Sequence, residues 1–244
     1  MNFKLFKAIS VGIVFAATAM VNIANAGLIT AIGDVDAVNI NSRAANVTLL
    51  DNLLGNNTNV LIIGSWANNS RVTGLTSHWS SLAGVSVSTS AVSNIASADL
   101  SGFDFLFYMQ SAFALNTATV ATQQTINNFI SNSGDFLFVS QNLGNAARSD
   151  SYNTFLSGIG SSMNTSTSNC SGSSIFSSDA LTSGVNNFII NGCNGVTGGT
   201  ALVTNNGVVS VAYENVSQVP EPSTLAIFAL SMIGLASRKF KKQS

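Results

Sequence analysis

Three short apolar runs constrain this chain more than anything else in it: residues 60–65 (VLIIGS), 103–109 (FDFLFYM) and 135–140 (DFLFVS). They do not alternate apolar with polar residues, as a strand with one wet face must. A near-continuous apolar run of this length is the pattern of a strand covered on both sides. Such strands need helices above and below, and the intervening sequence offers them. Residues 42–54 place Ala45, Leu49, Leu50, Leu53 and Leu54 on one side of a helix. Residues 71–82 predict a second helix, capped by Ser70. A third spans 117–131, with Thr117 as its cap, a stripe of Val120, Ile126, Phe129 and Ile130, and Gly134 as its stop. A fourth covers 151–159. Further strands are expected at 85–89, 188–190, 201–204 and 208–213, the last two joined by a turn at Asn205-Asn206-Gly207. Strands alternating with helices predict an α/β fold, a parallel sheet with flanking helices. The abundance of Ser, Thr and Val leaves an all-β sandwich as the alternative.

The two ends of the chain have a different character. Residues 1–7 are short and basic, 8–21 are apolar, and Ala24-Asn25-Ala26 is a small-x-small site before Gly27. That is the layout of a secretory signal peptide, 1–26, cut after Ala26. At the other end stand Val219, Pro220, Glu221, Pro222, Ser223 and Thr224. An apolar run follows, then the basic stop Arg238, Lys239, Lys241 and Lys242. Two prolines so close together cannot sit inside a helix, so they fix its earliest start. A single transmembrane helix is expected at 224–237. At about 1.5 Å per residue it is short for a hydrocarbon core of about 30 Å, which suits a temporary anchor. The basic end should stay cytoplasmic.

This tail, 219–244, resembles the PEP-CTERM sorting signal of exopolysaccharide-producing Gram-negative bacteria. The resemblance rests on the Val-Pro-Glu-Pro-Ser-Thr segment, the apolar run and the terminal basic cluster, in that order. It implies an exosortase as processing partner and transient residence in the inner membrane. It further implies delivery of the body, 27–218, to the cell surface or extracellular matrix, where biofilm exopolysaccharide is the neighbour.

The body in turn resembles the flavodoxin-like sheet of class I glutamine-amidotransferase-like proteins. The residues behind this are 60–65, 100–104 leading into FLFYM, 129–135 leading into FLFVS, and the loop 181–185. In a parallel sheet, sites form beyond the C-terminal ends of strands. Here those positions are Gly64, Ser65 and Trp66; Gln110 and Ser111; and Ser140, Gln141 and Asn142. The family's nucleophile is a Cys in a Gly-x-Cys-x-Gly elbow with a downstream His. The comparable turn, Val139-Ser140-Gln141-Asn142-Leu143-Gly144, has neither the Cys nor the flanking glycines. The only histidine, His78, lies upstream and is expected at the surface beside Trp79. No catalytic residue is therefore assigned. A degenerate hydrolase would have to use Ser65 or Ser140.

Other chemistries find few candidates. The body has one Glu, Glu214, and scattered Asp. Asp34-Val35-Asp36 puts two carboxylates on one side of a strand-like segment, but a calcium site needs about six to eight oxygens. The stretch 192–199 is Gly-rich but lacks a phosphate-loop lysine, and reads as a loop or hairpin. Neither a metal nor a cofactor is expected. Residues 27–219 hold three bases against nine acids, a formal −6, so no nucleic-acid partner is expected. Cys170 and Cys193 are the only cysteines and, in an exported chain, read as one disulfide. Ser, Thr and Asn supply 84 of 244 residues, so the polar surface is made of neutral hydroxyls and amides. Such a surface suits polysaccharide, and a binding module would use exposed aromatics such as Trp66, Trp79 or Tyr152. The expectation is an exported, non-catalytic surface or matrix protein. A polysaccharide-binding module and a degenerate amidotransferase-like hydrolase are the alternatives.

Overall fold

Five neighbouring strands of the sheet are parallel, all but the edge strand of them largely apolar, and helices cover both faces. The computed structural model describes residues 27–64, 67–90, 95–96, 98–109, 119–140 and 145–216. Residues 26–216 form one compact unit. The expected signal peptide, including Ala24 and Ala26, lies outside the described residues, as do the sorting motif and the helix expected at 224–237.

The strands are β1 (Leu28–Ile32), β2 (Asn59–Ile63), β3 (Ser86–Ser90), β4 (Phe105–Met109) and β5 (Asp135–Val139). They are followed by β6 (Asn164–Cys170), β7 (Ser174–Phe176), β8 (Cys193–Thr197), β9 (Thr200–Asn205) and β10 (Val208–Asn215). Eight form one sheet in the order β3-β2-β4-β5-β1-β10-β9-β7, and β6 pairs with β8 in a second. From β3 to β1 all neighbours are parallel; from β1 to β7 all are antiparallel. The order β3-β2-β4-β5 reproduces the first four positions of the flavodoxin sheet. The fifth parallel position is filled by β1, the first strand of the body. The expected α/β architecture is therefore present, and the all-β alternative is overturned.

The helices are α1 (Val47–Leu54), α2 (Ser70–Ser81), α3 (Val120–Ser131) and α4 (Ala146–Gly158). Successive side chains of a strand point to opposite faces. Phe105, Phe107, Met109, Leu137 and Val139 accordingly pack with α1 and α2, through Leu49, Leu50, Leu53, Val72, Leu75 and Trp79. Leu106, Tyr108, Phe136 and Phe138 pack with α3 and α4, through Ile126, Ile130, Tyr152, Phe155 and Leu156. Trp79 meets Phe105 and Phe107 edge-on at 5.7 and 6.3 Å. Tyr108 stacks on Phe155 at 5.1 Å, and burial, with Tyr152 nearby, pushes its hydroxyl up to about 12.

Several expected boundaries move, each for a local reason. Asn69 rather than Ser70 caps α2, accepting from Arg71 N. Thr119 caps α3 instead of Thr117, and Val120, expected in the buried stripe, is 69% exposed because it sits in the first turn beyond the sheet. Ser133, at φ 71°, takes the left-handed position expected of Gly134. The expected helix over 42–54 is a 3-10 turn, Ala44–Asn46, followed by α1, and Ala45 is exposed. Residues 188–190 are not a strand: Phe188 is buried, but its neighbour Ile189 is held by the Asn46 side chain through its N–H (2.6 Å) and its carbonyl (2.9 Å). The hairpin at 201–213 is as expected, with a two-residue turn, Asn206-Gly207, at φ 49° and 79°.

Candidate functional site

The C-terminal ends of the parallel strands form one edge of the sheet, where a doubly wound fold builds its sites. The strand order reverses between β2 and β4. There Gly64 has φ 117°, and a Cβ on it would lie 2.1 Å from the Met109 carbonyl oxygen. Of the positions expected at this edge, Gly64 and Ser140 are described. Ser65, Trp66, Gln110, Ser111, Gln141 and Asn142 lie outside the described residues. Ser140 is fully buried; its N–H donates to the Ile32 carbonyl at 2.9 Å and its hydroxyl to the same oxygen at 3.4 Å. That arrangement ties β5 to β1, and among the described residues no base reaches the hydroxyl.

The edge carries a charged cluster just after β1. Residues 34–36 are not strand-like as expected: Val35–Val38 is a 3-10 turn capped by Asp34. Asp34 is buried, accepting from Asp36 N and Asn191 N, both at 2.8 Å. Desolvation raises its pKa, against the lowering effect of those two bonds. Asp36 turns away to the two arginines. Its Oδ1 accepts from Arg71 Nε at 2.5 Å, and Arg43 reaches its other oxygen at 3.6 Å and its carbonyl at 3.0 Å. The two carboxylates thus serve different partners. Among the described residues no three His, Cys, Asp or Glu side chains converge as metal ligands.

A pairing that sequence reasoning missed joins α1 to α2. His78 Nε2 lies 2.9 and 3.0 Å from the two oxygens of Asp51, and Trp79 Nε1 donates to Asp51 Oδ1 at 3.1 Å. Asp51 satisfies the indole of a fully buried ring and holds the imidazole beside it, itself about a quarter exposed. The signal for Trp79's burial was in the sequence: Val72, Leu75 and Trp79 recur at i, i+3 and i+7. Tyr152, Phe155 and Leu156, at i, i+3 and i+4, form a similar stripe on α4. Trp79 and Tyr152, expected as exposed sugar-stacking aromatics, are 0% and 4% exposed, and that expectation is overturned.

At the opposite end of the sheet, a recess of about 370 Å³ lies between α3 and the segment entering β4. Phe129 and Phe103 line it, with Asn128, Ser101 and Asp104 among its polar groups. Asp104 is already engaged with Thr58 N (3.0 Å) and Asn59 N (2.8 Å), as a brace for the start of β2. Cys170 and Cys193 form the expected disulfide, across directly paired residues of β6 and β8 with Cα atoms 5.0 Å apart.

The tail carries what the body does not. Residues 218–242 match the PEP-CTERM protein-sorting motif. The match supports the chain as an exosortase substrate, exported and membrane-anchored before processing. The PEP-CTERM motif addresses the chain and leaves the chemistry of the body unassigned. No curated protein matches the chain. Among solved structures, a peptidase from an acI-B1 Actinobacterium is similar at 14% identity and a TM-score of 0.29, over 48% of this chain and 55% of that one. The chain spans little more than half of that peptidase, and a likeness this low carries nothing about activity. Among the described residues no helix is long and apolar enough to cross a membrane.

Proposed function

We propose that this chain is an exosortase-processed surface or extracellular-matrix protein of an exopolysaccharide-producing Gram-negative bacterium, with a body that does no catalysis. The PEP-CTERM match at 218–242 carries this reading. The body's geometry supports it: the one histidine is engaged by Asp51, the Ser140 hydroxyl faces a carbonyl, and Asp34 and Asp36 are committed to structural partners. Among the described residues no observation favours an amidotransferase-like hydrolase. Exopolysaccharide remains the proposed neighbour, met by a surface of hydroxyls and amides rather than by the buried Trp79 and Tyr152. Signal peptide cleavage after Ala26 belongs to the same proposal. Gly27, the next residue, already takes part in the fold through its N–H to the Ile130 carbonyl at 3.1 Å.

The test is intact mass and cell fractionation of the protein from cells with and without their exosortase. A product beginning at Gly27, cut near Pro222 and found outside the cell only when exosortase is present, is expected. An unprocessed tail in both strains would refute the sorting role. Robust hydrolysis of peptide, ester or glycoside substrates by the purified protein would refute the non-catalytic body.

A further inference from the structure

The sheet ends at two edges, and they are built differently. At one, β7 has three residues, and the Asn205 side chain closes over its start through the Gly172 carbonyl and the Ser174 hydroxyl. At the other, β3 has five residues, paired with β2 without a register shift from Asn59↔Ser86 to Ile63↔Ser90. In a parallel ladder, alternate residues direct both backbone polar groups to the same side. Ser86 N donates to the Thr58 carbonyl at 2.7 Å, so Ser86, Ser88 and Ser90 face β2. Val87 and Thr89 therefore turn their N–H and C=O groups outward from the sheet.

Natural edges of this kind are blunted by charge, proline, a bulge or a cover. β3 has none of the first three: residues 79–98 hold no charged side chain and no proline, and the register is unbroken. The rest of the body is acidic, with nine acids to three bases between residues 27 and 219. Two copies carry like net charge, and this uncharged edge is where they approach without setting carboxylates together. The strand is also self-complementary. An antiparallel pair centred on Ser88 sets Val87 opposite Thr89 of the second copy, and Thr89 opposite its Val87. Both are hydrogen-bonded pairs, so all eight outward groups are used, and Ser88 meets its own counterpart in the non-hydrogen-bonded position.

We propose that the outer edge of β3 is a self-association surface, on which a second copy of this chain docks its own β3 antiparallel about Ser88. The contact joins two sheets into one continuous sheet with an isologous two-fold axis. It suits a protein that works in an extracellular assembly, but it stands independently of the exosortase reading.

Variants of the full chain with one added cysteine, produced in an exporting host, test the register. At the axis, Ser88 and its counterpart have Cα atoms about 4.5 Å apart, within disulfide reach. Ser86 and its counterpart are separated by four residues of strand, about 13 Å, which is out of reach. S88C is expected to give a reducible dimer on a non-reducing gel, and S86C at least about tenfold less. Equal cross-linking of the two, no cross-linking, or capture of a different protein by S88C would overturn the proposal. Adding Thr89→Pro removes an outward donor and spares the β2 ladder, so it should abolish the S88C dimer while leaving protease resistance intact; a persisting dimer refutes the pairing. If the proline variant loses protease resistance, S88K sets like charges at the axis instead. S88K should then sediment as monomer where the unaltered protein is dimeric, and an unchanged dimer overturns the idea.

Discussion

Reduction of the Cys170–Cys193 bond is expected to lower the stability of the body as a whole, not to release a local flap. The bond closes a loop with a sequence separation of 23. For a loop of roughly 24 residues, the chain-entropy model assigns about 3.4 kcal/mol to its constraint on the unfolded chain. The enclosed segment is stitched into the fold at several independent points. Asn46 holds Ile189, Asn52 Nδ2 donates to the Leu181 and Ser183 carbonyls at 3.0 and 2.8 Å, and Tyr213 donates to Asp179 at 2.7 Å. Asn191 N reaches Asp34, as described above. With these ties in place the folded state changes little on reduction, and the cost falls on the equilibrium with the unfolded chain. A body of about 190 residues has an unfolding entropy near 0.4 kcal/mol/K, so the midpoint should drop by roughly 8–9 °C. Thermal unfolding of the oxidised and reduced protein, followed by far-ultraviolet circular dichroism, measures it. A drop worth under about 1 kcal/mol, or a melt in two separated steps with 171–192 exchanging amide protons first, would refute the reasoning.

Further perturbations follow from single contacts. Gly27→Ala puts a Cβ 1.9 Å from the Gly134 carbonyl oxygen, so it should destabilise the body by roughly 1–3 kcal/mol in denaturant titration, although alanine is no larger than its neighbour Ala26. Asp51→Ala leaves the buried Trp79 N–H unpaired and should cost about 1–3 kcal/mol, with His78→Ala costing less because its ring is partly exposed; equal losses would place the weight on the imidazole. Asp34 has a folded-state pKa raised by desolvation, so its ionised form disfavours folding: its penalty is absent below the ordinary value of 3.8 and develops as pH rises through the raised one. Relative to Asp34→Asn, the unaltered protein should thus lose stability as pH rises above 3.8 in paired denaturant melts, and the opposite slope would contradict the burial argument.

The strongly apolar strands were legible because composition alone decides them: VLII, FLFYM and DFLFV cannot stay wet on either face. The Asn206-Gly207 hairpin and the cysteine pair were legible because their chemistry is local. What escaped was structure that depends on distant partners. β6 and β8, NTSTSNC and CNGVT, carry no strand periodicity and exist because they pair across the disulfide and lie against α4 and β10. β1, LITAI, is a short apolar run beside a longer apolar leader, and nothing local marks it as a central strand. The 188–190 segment errs in the other direction, since its burial is real but its backbone is satisfied by the Asn46 side chain instead of a ladder. At the site, the Asp51–His78 pairing was invisible because it joins two helices 27 residues apart. The buried aromatics were readable from helical spacing.

The placement of β1 also sets the order of assembly. Its parallel neighbour is fixed through Leu28 and Asp135, 107 residues apart, and its antiparallel neighbour ends at Asn215. The middle of the sheet therefore cannot be completed until nearly all of the body is present, whichever end emerges first. Contacts of such long range make folding slow. That delay favours export of an unfolded chain, because the strand that leads the body waits for the one that trails it before the sheet can shut.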